Sequence, residues 1–211
     1  KIISDAKIFF ENGDAVIDFP FAGAAIENIT NASKYNCTYV LGTTGLEEEQ
    51  VMQIKGLSKT IPIMCSANMS IGVNIALHYS EQLAKSLDEE YDIEIHEMHH
   101  KDKLDSPSGT ALALGKAVAK GRGINLEEKI IKPRWGIEKP RKKGDIGFST
   151  QRGGDVIGDH TVTFAGNGER IEIGHKASNR DIFANGAVRA LLWLHNKSAG
   201  YYSMKDVLGL S

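Results

Sequence analysis

The chain has 211 residues, of which 25% are charged and 41% hydrophobic, and a formal net charge of −2. This balance is typical of a soluble globular protein and argues against a general nucleic-acid binder, which needs a basic surface. No apolar run approaches the roughly 20 residues that span a bilayer. Cys37 and Cys65 lie in apolar, strand-like runs. We therefore expect free thiols in a cytoplasmic protein that engages neither nucleic acid nor membrane.

The first third of the chain alternates strands with helices. Apolar and β-branched residues favour strands at 15–19, 37–42 and 61–65, and helical spacing follows the first two at 21–33 and 46–57. This alternation predicts a parallel sheet with right-handed crossovers. Such sheets bind ligands at the carboxyl ends of their strands.

Those strand ends carry the loops DFPF (18–21), GTTG (42–45) and CSANMS (65–70). Glycine lets a backbone approach a ligand closely, and threonine can cap the helix that follows. GTTG alone is equally typical of a plain strand-to-helix turn, but three such loops at one edge favour a nucleotide-like ligand. The G-x-G-x-x-G sequence that would decide the matter is absent.

The rest of the chain predicts a different architecture. A long amphipathic helix at 70–87 is followed by alternating residues at 91–100, which favour a strand. From 144 to 178 the pattern becomes antiparallel, with an Asn-Gly hairpin signal at 166–169, and 179–197 returns to a helix.

Between these elements the segment 105–121 predicts a helix start. Ser106 or Ser108 can cap this helix, Pro107 suits its first turn, and Gly121 or Gly123 can end it.

The stretch HHKDKLDSPSGTA (99–111) concentrates chemistry-bearing residues. His96 and His100 have the spacing of helical zinc ligands, but on one face of a strand they would lie about 13 Å apart. The order H-E-M-H-H also differs from the zinc-protease H-E-x-x-H. We therefore expect no metal. A solvated strand end would explain exposed histidines, but not a lysine and a Ser-Gly-Thr helix start arriving together.

An anion site explains all of these features. The start of a helix at Gly109 and Thr110 presents unpaired N–H groups and a partial positive charge, which can hold a carboxylate or phosphate. Lys103, His99 and His100 add positive charge or protons close by, because histidine titrates near neutral pH. The residues themselves thus favour an anionic small molecule that becomes protonated.

The ordered motifs of the chain carry a resemblance to a known family. They are VIDF, GTTG, ANMSIGVN, EMHHKDKLDSPSGTA, DVIGDHTVTF, GERIEIGHKAS and FANGAVRA. In this order they resemble the 4-hydroxy-tetrahydrodipicolinate reductases, also called dihydrodipicolinate reductases, over nearly the whole chain.

The resemblance implies an enzyme that uses NADH or NADPH to reduce 4-hydroxy-tetrahydrodipicolinate, a cyclic dicarboxylate, to tetrahydrodipicolinate in lysine and diaminopimelate biosynthesis. It implies an α/β fold: a partial Rossmann-like parallel sheet without its first βα units, plus an α+β domain with a mostly antiparallel sheet, through which a homotetramer assembles. The domains would be 1–69 for the dinucleotide, 70–178 for substrate and oligomerisation, and 179–211, returning to the first.

By the same resemblance, His99 would be the acid–base group and Lys103 the second proton donor. The substrate would contact His100, Gly109, Thr110 and Arg180. The cofactor would contact two loops, whose residues are Gly42, Thr43, Thr44, Ser66, Ala67, Asn68 and Met69.

The sequence departs from the family at its start. The family's first strand, glycine-rich phosphate loop and ribose-reading residues would precede VIDF, and these two βα units, roughly 50 to 60 residues, are not in the sequence. The preference between NADH and NADPH therefore stays open. The alternatives to the reductase are a truncated dicarboxylate-binding fragment without reductase activity and a zinc hydrolase built on the three histidines. A related nicotinamide dehydrogenase using Cys65 fits the surrounding motifs poorly.

Overall fold

The computed structural model describes residues 5–134, 136 and 139–210. These residues form two compact units. The first unit comprises the described parts of Lys1–Ile71 and Asp181–Ser211, and the second unit comprises those of Gly72–Arg180.

The helices and strands follow one another in a fixed chain order. They are α1 (Ala6–Glu11), β1 (Ala15–Asp18), α2 (Ala22–Lys34), β2 (Thr38–Leu41), α3 (Glu48–Leu57), β3 (Pro62–Cys65), α4 (Ile71–Ser86), β4 (Asp92–His99), α5 (Gly109–Arg122), α6 (Leu126–Lys129), β5 (Ile130–Ile131), β6 (Ile146–Arg152), β7 (Gly158–Ala165), β8 (Arg170–Ala177), α7 (Asp181–Leu194), β9 (Gly200–Tyr202) and α8 (Met204–Leu208).

The first unit is built on a four-stranded parallel sheet in the order β1-β2-β3-β9. Every residue of β2 is buried, and its side chains alternate between two cores. Tyr39 and Leu41 pack with α2, whereas Val40 packs with α7 and α8. Helices on both faces are what a buried parallel sheet requires. The predicted parallel sheet is confirmed.

Three short elements of the first unit escaped the sequence analysis. They are α1, β9 and α8, with six, three and five residues respectively. Elements this short do not complete enough of a hydrophobic period to be distinguished from a loop. β9 exists because it hydrogen-bonds in parallel to β3, which is a tertiary contact.

The second unit contains a five-stranded mixed sheet in the order β5-β6-β4-β7-β8. β7 pairs antiparallel with both β4 and β8, as the alternation predicts. β6 instead lies parallel to β4 on its other side, so the predicted antiparallel pattern fails for this strand. The sequence showed that β6 is a strand, but not that β4 would lie between it and β7.

Two helices cover one face of this mixed sheet. α4 and α5 supply small and aliphatic side chains to a core with Ile93, Ile95, Val162 and Phe164. The helices approach closely at Gly121, where a Cβ atom would lie 2.2 Å from the carbonyl oxygen of Glu81. Glycine is therefore required there by packing.

The start of α5 differs in detail from the prediction. Ser108 is the N-cap, since its hydroxyl accepts a hydrogen bond from the N–H of Ala111 at 3.1 Å. Pro107 consequently lies before the cap and not in the first helical turn, and Ser106 does not cap. At the other end Gly123 takes a left-handed conformation with φ of 65°, as expected of a C-terminal glycine.

Among the described helices, none is both long and apolar enough to cross a membrane.

Candidate active site

Alternation along β4 directs Glu97 and His99 to the same face as Ile93 and Ile95, and both polar side chains are buried. His96 points the other way and hydrogen-bonds through Nδ1 to the hydroxyl of Ser149 at 3.0 Å. The strand assignment that argued against a shared metal ion is thus confirmed. In the part of the chain that the structure describes, no group of three potential ligands is placed to hold a metal.

The Glu97 carboxylate lies at the centre of a polar cluster. Its Oε2 atom is 2.5 Å from Nδ1 of His99, and its Oε1 atom accepts the backbone N–H of Ser108 at 3.1 Å. Arg152 donates to both oxygens, at 2.9 and 3.0 Å. Burial alone would raise the pKa of Glu97, but the hydrogen bonds from Arg152, His99 and Ser108 outweigh it and hold that pKa below its usual value.

Arg152 also holds the loop that follows β4. Its guanidinium donates to the carbonyl oxygens of Lys103 at 3.3 Å and Asp105 at 2.6 Å. Lys103 in turn donates from Nζ to Asp105 Oδ1 at 2.7 Å. This lysine lowers the pKa of the Asp105 carboxyl. The loop backbone is therefore anchored to the same arginine that pairs with Glu97.

His160, on β7, closes the cluster from the neighbouring strand. It lies opposite Glu97 in the strand register, and its ring meets that of His99 edge to face at 5.0 Å between centroids. Its Nε2 atom lies 2.9 Å from the Ser108 hydroxyl. Because that oxygen already accepts from Ala111, its proton is assigned to the bond with Nε2. Burial, followed by the charge of His99, lowers the pKa of His160 to about 4.

We refer to Glu97, His99, Ser108, Arg152 and His160 as the Glu97 cluster. Of the residues expected at the substrate site, His99 belongs to it and Lys103 is tied to it through Arg152. Gly109 and Thr110 follow Ser108 directly as the first residues of α5.

His100 and Arg180 stand apart from the Glu97 cluster. His100 is half-buried directly after β4, and its carbonyl accepts the N–H of Lys103 at 3.2 Å. Arg180 is exposed, three residues beyond the end of β8. Among the described residues, Arg180 shares no hydrogen bond or ion pair with the cluster.

Sequence reasoning missed Glu97, Arg152 and His160 as parts of the site. A signal existed for two of them. Glu97 precedes His99 by two residues, and His160 occupies a position in β7 that alternates with the buried Val162 and Phe164. A polar residue at an inward position of a strand needs a buried partner. Arg152 gave no such signal, because its role depends on the parallel pairing of β6 with β4.

The predicted cofactor loops lie at the carboxyl edge of the parallel sheet in the first unit. The N–H of Gly42 donates to the Asp18 carbonyl at 2.8 Å, and the N–H of Ser66 donates to the Leu41 carbonyl at 3.1 Å. The Thr43 hydroxyl donates to the Pro20 carbonyl at 2.9 Å. These bonds join the ends of all three strands into one edge.

Gly42 lies under the Phe19 ring, where a Cβ atom would come within 2.1 Å of a ring carbon. Phe19 and Phe21 remain 53% and 76% exposed, and Thr44 and Ala67 are exposed beside them. An edge with apolar rings, small exposed residues and free loop backbone fits a nicotinamide dinucleotide.

Met69 and Asn68 differ from the other predicted cofactor residues. The Met69 side chain is buried in the core with Ala187 and Ala190, so only its backbone remains for a ligand. Gly186 of α7 packs on that backbone, since a Cβ there would lie 1.8 Å from the Met69 carbonyl oxygen. Asn68 is half-buried, and its side chain accepts the N–H of Ser70 at 2.9 Å.

Comparison with known families agrees with the resemblance in both units. Residues 1–69 match the family model for the dihydrodipicolinate reductase N-terminus, and residues 72–208 match that for the C-terminus. The chain belongs to the dihydrodipicolinate reductase family.

Curated relatives bear the name of the same enzyme. The 4-hydroxy-tetrahydrodipicolinate reductase of Rhodopseudomonas palustris (strain BisA53) is 48% identical over 210 residues, which cover 100% of this chain and 77% of that protein. The reductase of Afipia carboxidovorans is 50% identical over 99% of this chain and 77% of its own length. Among solved structures, dipicolinate-bound dihydrodipicolinate reductase from Paenisporosarcina sp. TG-14 aligns with a TM-score of 0.74 and 25% identity, covering 90% of this chain and 71% of that one.

These matches decide between the predicted functions. The protein is an NAD(P)H-dependent oxidoreductase that reduces 4-hydroxy-tetrahydrodipicolinate to tetrahydrodipicolinate in lysine biosynthesis, and the N-terminal domain of the family binds the nicotinamide cofactor. The alternative of a fragment without reductase activity is not favoured, because the chain matches both family models and about 77% of the length of these relatives.

Proposed function

We propose that His99 is the proton donor of this reductase and that Lys103 is the second. The observation that carries the proposal is the bond between Nδ1 of His99 and the buried Glu97 carboxylate. It leaves Nε2 as the ring atom that can serve a substrate. The nicotinamide supplies a hydride, and a hydride added to a conjugated ring leaves negative charge that an adjacent acid must neutralise.

Space beside His99 supports this role. A Cβ atom at Gly158 would lie 2.9 Å from Nε2, so a larger residue there would press on the ring. Among the described residues Nε2 has no hydrogen-bond partner. The ring is therefore fixed at Nδ1 and available at Nε2, which is the arrangement that a general acid needs.

The substrate's two carboxylates call for separate cationic sites, and we propose that this chain offers two. One is the start of α5 at Gly109 and Thr110, where the helix presents N–H groups and a partial positive charge. The other is formed by His100 and Arg180. Lys103, held by Asp105 in the structure, would exchange that partner for the substrate as it delivers its proton.

For the cofactor, we propose that Gly42, Thr43, Thr44, Ser66, Ala67, Asn68 and Met69 hold NADH or NADPH at the edge of the parallel sheet. The cross-linked strand ends and the exposed small residues support this assignment. We also propose that 1–69 and 179–211 form the dinucleotide domain and 70–178 the substrate domain.

A homotetramer and a cytoplasmic location complete the proposal. The family resemblance supports assembly through the mixed sheet, whose outward side carries the short Thr161, Thr163 and Gly174. Cys37 and Cys65 are both free thiols, which supports a reducing compartment.

Replacement of His99 by Gln tests the proposed chemistry. Glutamine keeps hydrogen-bonding capacity but cannot donate a proton as an acid, so kcat should fall by about 10²- to 10⁴-fold. KM for the dicarboxylate should change much less. Steady-state kinetics at saturating NADPH and NADH measure both constants. His195→Gln, at an exposed position after α7, is the matched control and should keep kcat. An unchanged kcat in His99→Gln would remove His99 from the chemistry.

A further inference from the structure

We propose that Glu97 is a positioning residue: one buried carboxylate that holds the proton donor, the lysine loop and the start of the substrate-binding helix in a single arrangement. This inference rests on the proposed role of His99. It concerns a residue that touches neither substrate nor cofactor, and acts through the groups bonded to it.

The first argument is the saturation of the carboxylate. Oε1 accepts from Ser108 N and Arg152 Nη2, and Oε2 accepts from Arg152 Nη1 and His99 Nδ1. The Glu97 side chain is only 1% exposed. A carboxylate that is buried and fully bonded in this way is ill placed to exchange protons with a substrate, but well placed to orient its donors.

The second argument is the cost of this carboxylate. Ile93 and Ile95 occupy the two preceding inward positions of β4 and are fully buried in the apolar core. An aliphatic residue at 97 would continue that pattern, whereas a buried ion pair contributes little net stability because both charges lose their hydration. A charged pair at this point of the strand is therefore better explained by what it orients than by the stability of the fold.

The third argument is connectivity. Ser108 N–H belongs to the N-cap of α5, so its bond to Glu97 sets where the helix begins. Arg152 uses further N–H groups on the carbonyl oxygens of Lys103 and Asp105. Together with the His99 bond, these contacts tie three segments to one carboxylate: the end of β4, the loop at 103–105 and the start of α5. Each of the three carries a group that the proposed reaction needs.

The negative charge also acts on His99 directly. An anionic acceptor fixes the proton of the neutral ring on Nδ1 and favours the imidazolium that donates from Nε2. The other charged or titratable groups around this ring are Arg152 from β6, His160 from β7 and Lys103 in the loop, with His175 of β8 beside His160. Among them Glu97 is the negative group bonded to His99, so its removal destabilises the imidazolium.

Glu97→Gln tests the inference in the full-length enzyme. Glutamine has nearly the same shape but no charge, so we expect kcat to fall by about 10- to 100-fold with a smaller change in KM. The alkaline limb of the pH profile of kcat/KM should move to lower pH, because His99 loses the anion that favours its protonated form. Glu128→Gln, on exposed α6 of the same unit, is the matched control and should change neither value.

A double-mutant cycle separates positioning from general damage to the fold. If Glu97 acts through His99, adding Glu97→Gln to His99→Gln should lower kcat far less than it does in the wild type. An equal loss in both backgrounds, or an unshifted pH limb in a folded Glu97→Gln enzyme, would overturn the inference. A His99→Gln enzyme with normal kcat would instead overturn the proposed function itself.

A second variant covers the case in which Glu97→Gln does not fold. Arg152→Lys keeps a positive charge beside Glu97 but cannot pair with both oxygens and reach the loop carbonyls as well. We expect kcat to fall while the alkaline limb stays in place, because the Glu97 charge remains. A kcat equal to that of the wild type would contradict the proposed coupling of the loop to Glu97.

Discussion

The Glu97 cluster of the second unit and the strand-end loops of the first unit are held together in different ways. The loops at Gly42 and Ser66 are fixed by main-chain hydrogen bonds, with Thr43 adding one hydroxyl. The Glu97 cluster is fixed by charged side chains that bond to one another. Main-chain groups are common to all residues except proline, whereas the cluster needs one particular side chain at each position.

This difference has an energetic consequence. Losing one neutral hydrogen bond at a loop costs about 1 kcal/mol, because water or a neighbour replaces much of it. Removing one partner of a buried ion pair costs about 3 to 5 kcal/mol, because the other charge stays buried without compensation. Substitutions should therefore be far more damaging in the cluster than in the loops.

The largest effect on stability should come from Arg152→Met. This change leaves the Glu97 carboxylate buried without its cation and should lower the free energy of unfolding by about 3 to 5 kcal/mol. Thermal unfolding monitored by circular dichroism measures it as a lower Tm. Arg134→Met, at an exposed arginine, should leave Tm nearly unchanged. Equal Tm values for the two variants would contradict the distinction between cluster and surface.

An intermediate effect should appear as pH dependence at His160. The pKa of this residue is lowered to about 4 in the folded protein, against a usual value of 6.5. Between these values the unfolded chain binds more protons, so stability is complete above about pH 6.5 and falls as the pH drops toward 4, by at most about 3 kcal/mol.

His160→Gln should remove this part of the pH dependence. The difference in Tm between pH 7 and pH 5 should be smaller in the variant than in the wild type, while His195→Gln should retain the wild-type difference. A burial-lowered pKa at His175 acts in the same direction, so some dependence should persist in the variant. The same fall in Tm for His160→Gln and wild type would show that His160 does not contribute.

The smallest effect should come from the loops. Thr43→Val removes the buried hydroxyl that donates to Pro20 but leaves the main-chain bonds of Gly42 and Ser66 intact. We expect a loss of about 1 kcal/mol, measured as a small drop in Tm without cofactor. Thr44→Val, at the exposed neighbouring position, should change Tm less. A loss as large as that of Arg152→Met would erase the contrast between the two regions.

Much of the fold could be predicted because hydrophobic periodicity acts locally. The strands β1, β2 and β3 and the helices α2, α4, α5 and α7 begin and end within a few residues of the predicted positions. The motif around His99 and Lys103 was equally local, since its residues lie within one strand end, one loop and one helix start. The pairing of β6 with β4, and of β9 with β3, could not be predicted in this way.

The sequence by itself determined which residues face inward, where the helices start, and to which family the chain belongs. These follow from alternation, capping and ordered motifs, all of which are read over a few neighbouring positions. Only the tertiary structure decided that Arg152 and His160 reach Glu97 from strands more than fifty residues away in the chain. A strand's sequence states which of its faces is buried, but hydrogen bonding between backbones decides which strand lies beside it, and so which charges meet.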